Sequence, residues 1–330
     1  MPTNQWSDAN LPDLRGRHVI ITGANSGIGR SAATALARVG ASLILAVRDV
    51  AKGESAASSM TGDVRVRQLD LASLQSVRSF AEDTSEPIDI LIANAGVMAL
   101  PMQRTVDGFE MQVGTNHLGH FALTNLLLPR IRERIVVVSS EVHRQGRIDL
   151  DDLNWERRPY KRWAAYAQSK LANLLFVQEL ERRLREGGSP VRALAVHPGY
   201  AATNLQHHTD NTALSLAVAI GNRLLAQSEH MGALPTLYGV TMDVPGGSYI
   251  GPDGYRSLRG YRARRSFSSG TGHRGRSPTL GALRAANGRL VDHPEILRRT
   301  IRTVSWWTLS RNSHSSLGPM DWSIECEEWV

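Results

Sequence analysis

The 330-residue sequence contains a single cysteine and no long hydrophobic run, which excludes disulfide-stabilised and membrane-spanning folds. Cys326 has no partner for an internal disulfide, so a folded core must be held together by apolar packing. No apolar run approaches the ~18–20 residues that a membrane span requires, and residues 1–17 lack the apolar centre of a signal peptide. We therefore predict a soluble, cytoplasmic protein without a transmembrane segment.

The sequence also lacks the basic stripe that marks a nucleic-acid-binding domain. The formal net charge is +7, but residues 1–262 carry 28 basic and 25 acidic residues, a net of only +3. The remaining +4 belongs to residues 263–330, with 10 basic and 6 acidic residues. A nearly neutral body argues against nucleic acid as the partner.

The stretch from His18 to Gly40 carries the strongest local pattern. Three β-branched residues, Val19 to Ile21, indicate a strand buried on both faces, and an alanine-rich helical segment ends at Gly40. Between them stand Thr22 and the glycines of a T-G-x-x-x-G-x-G pattern. Glycines permit a sharp turn close to a ligand, and the following helix N-terminus favours a phosphate. An ordinary tight turn is the alternative, because the usual G-x-G-x-x-G fingerprint is absent.

Further strands alternate with helices along the chain. The strands are predicted at Ser42–Val47, Val64–Leu69, Ile88–Ala93, Arg134–Ser139 and Val191–Val196. Such alternation is typical of βαβ units with right-handed crossovers. The predicted fold class is α/β, a Rossmann-type, doubly wound parallel sheet of about seven strands in the order 3-2-1-4-5-6-7, with helices on both faces. Ligands in such sheets bind beyond the carboxyl ends of the strands.

The end of the second strand bears on the choice of cofactor. In a dinucleotide-binding fold, an acidic residue about 20 positions past the glycines would bind the ribose 2′-hydroxyl, whereas arginine accommodates a 2′-phosphate. Val47 stands 18 residues after Gly29 and is not acidic, and Arg48 follows it. This favours NADP, with NAD as the alternative. Arg48 could instead be a solvated loop residue, with Asp49 serving only as a helix cap.

Four polar residues outside the glycine turn are candidates for chemistry. Asn116 falls within a helix predicted over Asp107–Pro129, where asparagine is unfavourable unless it marks a kink, faces solvent or holds a water molecule. Ser140 follows the fifth strand. Tyr166 and Lys170 share one face of a helix predicted from Arg162 to Arg185. Taken alone, that pair is more simply a tyrosine packed over a lysine stem.

His117 and His120, three positions apart, resemble a pair of metal ligands. No third ligand at a suitable spacing follows them, and the sequence has no cysteine pair. We therefore predict that the protein binds no metal.

In this order, the motifs resemble those of the short-chain dehydrogenase/reductase family. The sequence around the motifs is most similar to that of the retinol-dehydrogenase-like members. The motifs are Thr22/Gly23/Gly27/Gly29, Asn94/Ala95/Gly96, Asn116, Ser140, Tyr166/Lys170 and His197-Pro198-Gly199 with Thr203. Longer phrases also match: VRDVAKGE, SSEVHRQGRI, YAQSKLANLLF, HPGYAATNL and GGSYIGPDG. The resemblance covers about residues 14–260.

The resemblance implies a role for each matching residue. Tyr166 would be the acid/base, Lys170 would lower its pKa and bind the nicotinamide ribose, Ser140 would bind the substrate oxygen, and Asn116 would hold a water molecule. Predicted cofactor-binding residues are Gly23, Asn25, Ser26, Gly27, Ile28, Gly29, Arg48, Asp70, Leu71, Asn94, Ala95, Gly96, Tyr166, Lys170, Pro198, Gly199 and Thr203.

The substrate is defined less sharply. A lid is expected over about residues 200–233, polar at first and then apolar. A partly apolar pocket would be lined by Met98, Val142, Tyr160, Trp163 and Tyr200, unless these residues only pack the loop. A lipophilic alcohol, aldehyde or ketone fits such a pocket, although resemblance does not establish a retinoid.

The last stretch departs from the family pattern. Residues 262–289 are rich in arginine, glycine and serine, and four of the seven tryptophans fall in the final 25 residues. We predict an NAD(P)-binding domain over 1–262 and an atypical, largely disordered tail over 263–330. A replaced or frameshifted C-terminus is one interpretation of this tail, and a segment that meets a membrane or partner is another.

The sequence thus predicts an NADP-preferring oxidoreductase that interconverts an alcohol and a carbonyl. A catalytically silent NADP-binding protein is the alternative, although all four residues of the catalytic set are present. Relatives often pair through the helix that carries Tyr166, so a homo-oligomer is also expected.

Overall fold

The computed structural model describes residues 6–199 and 228–252, together with the backbone of residues 263–266. Its central feature is an eight-stranded sheet in the order 3-2-1-4-5-6-7-8. Strands β1 to β7 run parallel, and β8 pairs antiparallel with β7. The strands are β1 His18–Thr22, β2 Ser42–Val47, β3 Val64–Gln68, β4 Ile88–Ala93, β5 Ile131–Val138, β6 Arg192–Val196, β7 Ser248–Gly251 and β8 Ala263–Ser266.

The predicted fold class is confirmed, including the order of the seven parallel strands. Within the described residues, β8 is an eighth strand beyond the predicted seven, and it begins at Ala263, the first residue of the predicted tail. The order reverses at β1, which pairs with β2 on one side and with β4 on the other. The crevice expected to bind a ligand therefore lies beyond the carboxyl ends of β1 and β4.

Helices cover both faces of the sheet. They are α1 Gly27–Arg38, α2 Val50–Ala57, α3 Leu74–Glu82, α4 Met111–Val113, α5 Gly119–Leu127, α6 Arg162–Glu186 and α7 Glu229–Thr241. One turn of π-helix, Gly114–Leu118, joins α4 to α5. Among the helices of the described ranges, none combines the length and the apolar character needed to cross a bilayer.

The sheet divides the core into two apolar clusters, and β1 contributes to both because it is buried on both faces. Val19 and Ile21 pack in the same cluster as Leu36 of α1 and Leu237 of α7. Ile20 points the other way, into a cluster formed with α3, α5 and α6. Side chains alternate along a strand, so this continuous apolar run supplies both layers.

The helix predicted over Asp107–Pro129 is wrong at its start and in its middle. It begins at Met111, where the Glu110 carboxylate accepts hydrogen bonds from the backbone N–H groups of Gln112 and Val113. The Asp107 carboxylate instead accepts from the backbone N–H of Leu74, in the first turn of α3. The π-helical turn then widens the helix around Asn116.

Candidate active site

The turn between β1 and α1 favours glycine at three positions, through its backbone angles or its close packing. Gly23 and Gly27 have φ angles of +66° and +59°, in the left-handed region that favours glycine. A Cβ atom at Gly23 would lie 2.8 Å from the Cβ of Ala95, and one at Gly29 would lie 2.5 Å from the Gly23 carbonyl oxygen. The backbone therefore forms a cradle in front of the N-terminus of α1, where N–H groups and the helix dipole suit a diphosphate.

The loop after β4 is fastened to this cradle through Thr22. The Thr22 Oγ1 accepts hydrogen bonds of 2.9 Å from the backbone N–H groups of Asn94 and Ala95. The Asn94 amide in turn donates to the Thr22 carbonyl over 2.8 Å. The glycine turn and the Asn94–Gly96 loop, predicted separately, thus lie against each other at the switch point.

Asn116 is fully buried in the π-helical turn and clamps the next part of this loop. Its Oδ1 accepts from the Val97 N–H over 2.7 Å, and its Nδ2 donates to the Val97 carbonyl over 2.9 Å. The same Nδ2 also donates to the Ser169 hydroxyl over 2.9 Å. Of the three readings of this asparagine, the solvent-facing one is wrong. π-Turns within helices frequently occur at functional sites.

Tyr166 and Ser140 form the polar centre of the site. Ser140 lies just past β5, and its side chain is a hydrogen-bond partner of the buried Tyr166 hydroxyl. Burial raises the pKa of Tyr166 to about 12, although the bond to Ser140 opposes the rise. Burial therefore dominates this pKa, and the lowering effect expected of Lys170 stays a prediction.

Lys170 lies one helical turn beyond Tyr166 and is also buried. Its Nζ donates to the Val138 carbonyl over 2.9 Å and lies 5.8 Å from the centroid of the Tyr166 ring. Burial lowers the pKa of Lys170 to about 8, so most molecules keep the ammonium at neutral pH. A Cβ at Gly96 would lie 3.5 Å from Nζ, which places the ammonium beside the Asn94–Gly96 loop.

A polar cleft of about 400 Å³ opens beside the N-terminus of α1. It is lined by Asn25, Ser26, Arg30, Lys52, Ser55 and Ala56. Arg48 is exposed at the end of β2, and Asp49 both caps α2 and pairs with Lys52 over 3.0 Å. The helix-cap role foreseen for Asp49 is therefore present, and cations outnumber acids in this region.

The other predicted cofactor residues also follow strand ends. Asp70 and Leu71 come after β3, where the Asp70 carboxylate accepts from the Ala72 N–H over 2.9 Å. Pro198 and Gly199 come after β6. Thr203, Tyr200 and the predicted lid up to residue 227 lie outside the described residues. Residues 229–233 of that lid belong to α7.

The residues expected to line an apolar pocket separate into two groups. Met98 and Val142 are half-buried, and the ring of the half-exposed Trp163 packs edge-on against Tyr166 at 6.1 Å. Tyr160 instead donates a hydrogen bond of 2.9 Å to the buried Glu110 carboxylate, and it accepts one from Gln112. Tyr160 therefore stabilises the start of α4, which agrees with the alternative that some of these residues only pack the loop.

Two residues that the sequence did not assign to this site belong to its hydrogen-bond network. The Ser169 hydroxyl accepts a hydrogen bond from the Asn116 amide and donates one of 2.8 Å to the Tyr166 carbonyl. His120 contacts Thr22 and the backbone of Asn116, whereas His117 contacts Asn173. The two histidine rings thus serve different hydrogen-bond networks. Ser169 directly precedes Lys170 and His120 lies four residues after Asn116, and these positions were the available clue in the sequence.

The chain is similar in sequence and in fold to proteins of one known family. The sequence model of a family described as short chain dehydrogenase matches residues 17–213. Human retinol dehydrogenase 13 is 49% identical over 247 residues, covering 70% of this chain and 73% of the relative. Human retinol dehydrogenase 12 is 49% identical over 208 residues, covering 59% and 65%. The crystal structure of an uncharacterised protein from Mycobacterium paratuberculosis superposes with a TM-score of 0.69 at 49% identity, covering 87% of this chain and 97% of the other.

Proposed function

This chain belongs to the short-chain dehydrogenase family and is an NAD(P)-dependent oxidoreductase acting on CH–OH groups, and we propose that it prefers NADP and uses Tyr166 as its acid/base. The observation that carries the proposal is that Tyr166 and Lys170 are buried one turn apart on α6, with the Lys170 Nζ 5.8 Å from the centroid of the Tyr166 ring and Ser140 beside the Tyr166 hydroxyl. This group lies at the edge of the sheet that also holds the glycine cradle.

The residues present fit a dinucleotide. The turn that contains Gly23, Gly27 and Gly29 would take the diphosphate, because it brings backbone to the N-terminus of α1 with the close packing that only glycine allows at Gly23 and Gly29. The Asn94–Gly96 loop would flank the adjacent ribose, and Lys170 has further N–H groups to offer ribose hydroxyls. When bound, the cofactor supplies the hydride, and the protein supplies orientation and a proton.

The ionisation state of Tyr166 supports carbonyl reduction. With its pKa raised to about 12, the phenol keeps its proton at neutral pH and donates it to the substrate oxygen. The Ser140 hydroxyl would bind the same oxygen and hold it within reach of Tyr166. Oxidation of an alcohol requires the phenolate, which burial disfavours. The Lys170 ammonium would offset part of that cost.

The preference for NADP rests on charge beside the N-terminus of α1. Arg30 and Lys52 line the cleft, Arg48 stands at the end of β2, and Asp49 is engaged with Lys52. No acidic side chain occupies the end of β2, where an NAD-binding fold would hold the 2′-hydroxyl. A 2′-phosphate would meet these cations instead.

The substrate is proposed to be a lipophilic aldehyde, ketone or alcohol. The relatives named retinol dehydrogenase 13 and 12 are each 49% identical over their matched ranges. Met98, Val142 and Trp163 offer apolar surface on the described side of the site. A retinoid is one member of this class.

The test is titration of the purified protein with NADPH and NADH, followed by NADPH oxidation against aldehydes and ketones of graded chain length. Wild type should bind NADPH more tightly and reduce the longer aldehydes. Tyr166→Phe should lose at least about 100-fold in kcat while its NADPH Kd stays within about twofold. NADPH binding without turnover across the panel would favour the silent binder, and failure to bind either cofactor would refute the proposal.

A further inference from the structure

The buried His120 joins two parts of the site that lie on different elements. Its Nε2 lies 2.8 Å from the Thr22 Oγ1, and its Nδ1 lies 3.1 Å from the backbone carbonyl oxygen of Asn116. Its side chain is 1% exposed, so water does not compete for these bonds. One imidazole therefore spans from the end of β1 to the π-helical turn.

The hydrogen-bond inventory of Thr22 fixes the direction of the first bond. A hydroxyl offers two acceptor sites and one donor. Both acceptor sites of Oγ1 are used by the backbone N–H groups of Asn94 and Ala95, each at 2.9 Å. The hydroxyl proton must then be donated, and His120 at 2.8 Å is a much closer acceptor than the Ile92 carbonyl at 3.4 Å.

The contact between the His120 Nδ1 and the Asn116 carbonyl is consistent with a hydrogen bond from Thr22 to Nε2. If Nε2 accepts from Thr22, a neutral imidazole carries its proton on Nδ1. The Asn116 carbonyl can only accept, and Nδ1 is the nitrogen that faces it. The two bonds therefore require the same tautomer. The network runs from the Asn94 loop through Thr22 and His120 to the backbone of Asn116.

We propose that His120 is a positioning residue that couples the cofactor cradle to Asn116, by accepting from Thr22 at Nε2 and donating from Nδ1 to the Asn116 carbonyl. The inference rests on the proposed function, because it assigns Thr22 and Asn116 to the cofactor and catalytic sides of one site. The Val97 clamp holds the Asn116 side chain, and His120 holds its backbone.

Two substitutions remove the two hydrogen bonds of the His120 ring one at a time. Asparagine places its amide near the position of Nδ1, so His120→Asn keeps the donor to Asn116 and loses the acceptor for Thr22. Glutamine reaches the position of Nε2, so His120→Gln keeps the acceptor for Thr22 and loses the donor. Leu123→Ala, fully buried on the same helix but outside the network, is the control for lost stability.

The experiment measures NADPH Kd by calorimetry and kcat at saturating NADPH for these variants. His120→Asn should raise Kd about fivefold with kcat within twofold, and His120→Gln should lower kcat about fivefold with Kd within twofold. Leu123→Ala should lower the Tm and change neither. The proposal is overturned if both histidine variants change Kd and kcat alike, or no more than Leu123→Ala does.

A spectroscopic measurement distinguishes failure of this proposal from failure of the proposed function. In ¹⁵N-histidine NMR of the wild type, assigned by loss of the signal in His120→Gln, His120 should be neutral and protonated on Nδ1. An Nε2-protonated ring refutes the network whether or not any carbonyl is reduced. An Nδ1-protonated ring together with the Kd shift in His120→Asn supports the role of the Thr22–His120 hydrogen bond in cofactor binding, even if the substrate panel yields no turnover.

Discussion

Acid should destabilise this protein through two buried histidines, at a higher pH than the range in which the carboxylates with lowered pKa become protonated. His117 and His120 lie on adjacent turns in the core, and burial lowers the pKa of each from 6.5 to about 4. The Lys170 charge contributes to the shift at His120. Between pH 6.5 and 4 the unfolded chain binds protons that the folded chain does not, so stability falls as the pH falls through this window.

The pKa values set the size of the effect. Each histidine should remove about 2 kcal/mol from the free energy of unfolding between pH 7 and pH 5, and the pair about 4 kcal/mol. That loss is a large part of the ~5–15 kcal/mol typical of a folded domain. Carboxylates with lowered pKa, such as Asp49, lose their contribution only below about pH 4, outside this range.

Urea unfolding followed by circular dichroism at pH 7, 6 and 5 measures the effect. The variants His117→Gln and His120→Gln each remove one titrating group. Each should therefore be less stable than wild type at pH 7, but should lose about 2 kcal/mol less than wild type between pH 7 and pH 5. If wild type and both variants lose the same stability over this interval, the histidines are not held neutral by burial and the reasoning is refuted.

Three further predictions concern the site itself. Gly29→Ala should abolish detectable NADPH binding in calorimetry and lower the Tm, because its Cβ would meet the Gly23 carbonyl oxygen and the Asn94 amide; retained affinity would contradict the cradle. Arg48→Ala should weaken NADPH binding about tenfold and leave NADH binding unchanged, and an equal loss for both would exclude a role in binding the 2′-phosphate. Above about pH 8, where Lys170 loses its proton, kcat/KM for carbonyl reduction should fall, and Lys170→Arg should move this limb to higher pH; an identical pH profile would contradict the need for the cation.

The sequence predicted the parts of the fold that local patterns determine. Continuous apolar runs such as Ile88–Ala93 gave the buried strands, and the glycines after Thr22 marked the turn at the switch point. The site residues of the described ranges lie after strand ends or on the helices expected to carry them. Resemblance located them more sharply than periodicity did, because Tyr166 and Lys170 alone also fit simple packing.

The features that escaped prediction depend on tertiary contacts. Asp107 looked like the start of its own helix, but its carboxylate accepts from the Leu74 N–H of α3. The π-helical turn is clamped by Val97, about twenty residues away in sequence. The pKa of Tyr166 is raised overall, because its ring is buried by elements that the spacing to Lys170 does not reveal.

Transfer of deuterium tests the central claim most directly. The protein would be incubated with NADPH that carries deuterium on the transferring face of C4, together with a long-chain aldehyde, and the alcohol product examined by mass spectrometry. We predict an alcohol one mass unit heavier, with the deuterium on the carbinol carbon, and no such product from Tyr166→Phe. An alcohol without deuterium, or equal labelling by Tyr166→Phe, would contradict hydride transfer with Tyr166 as the proton donor.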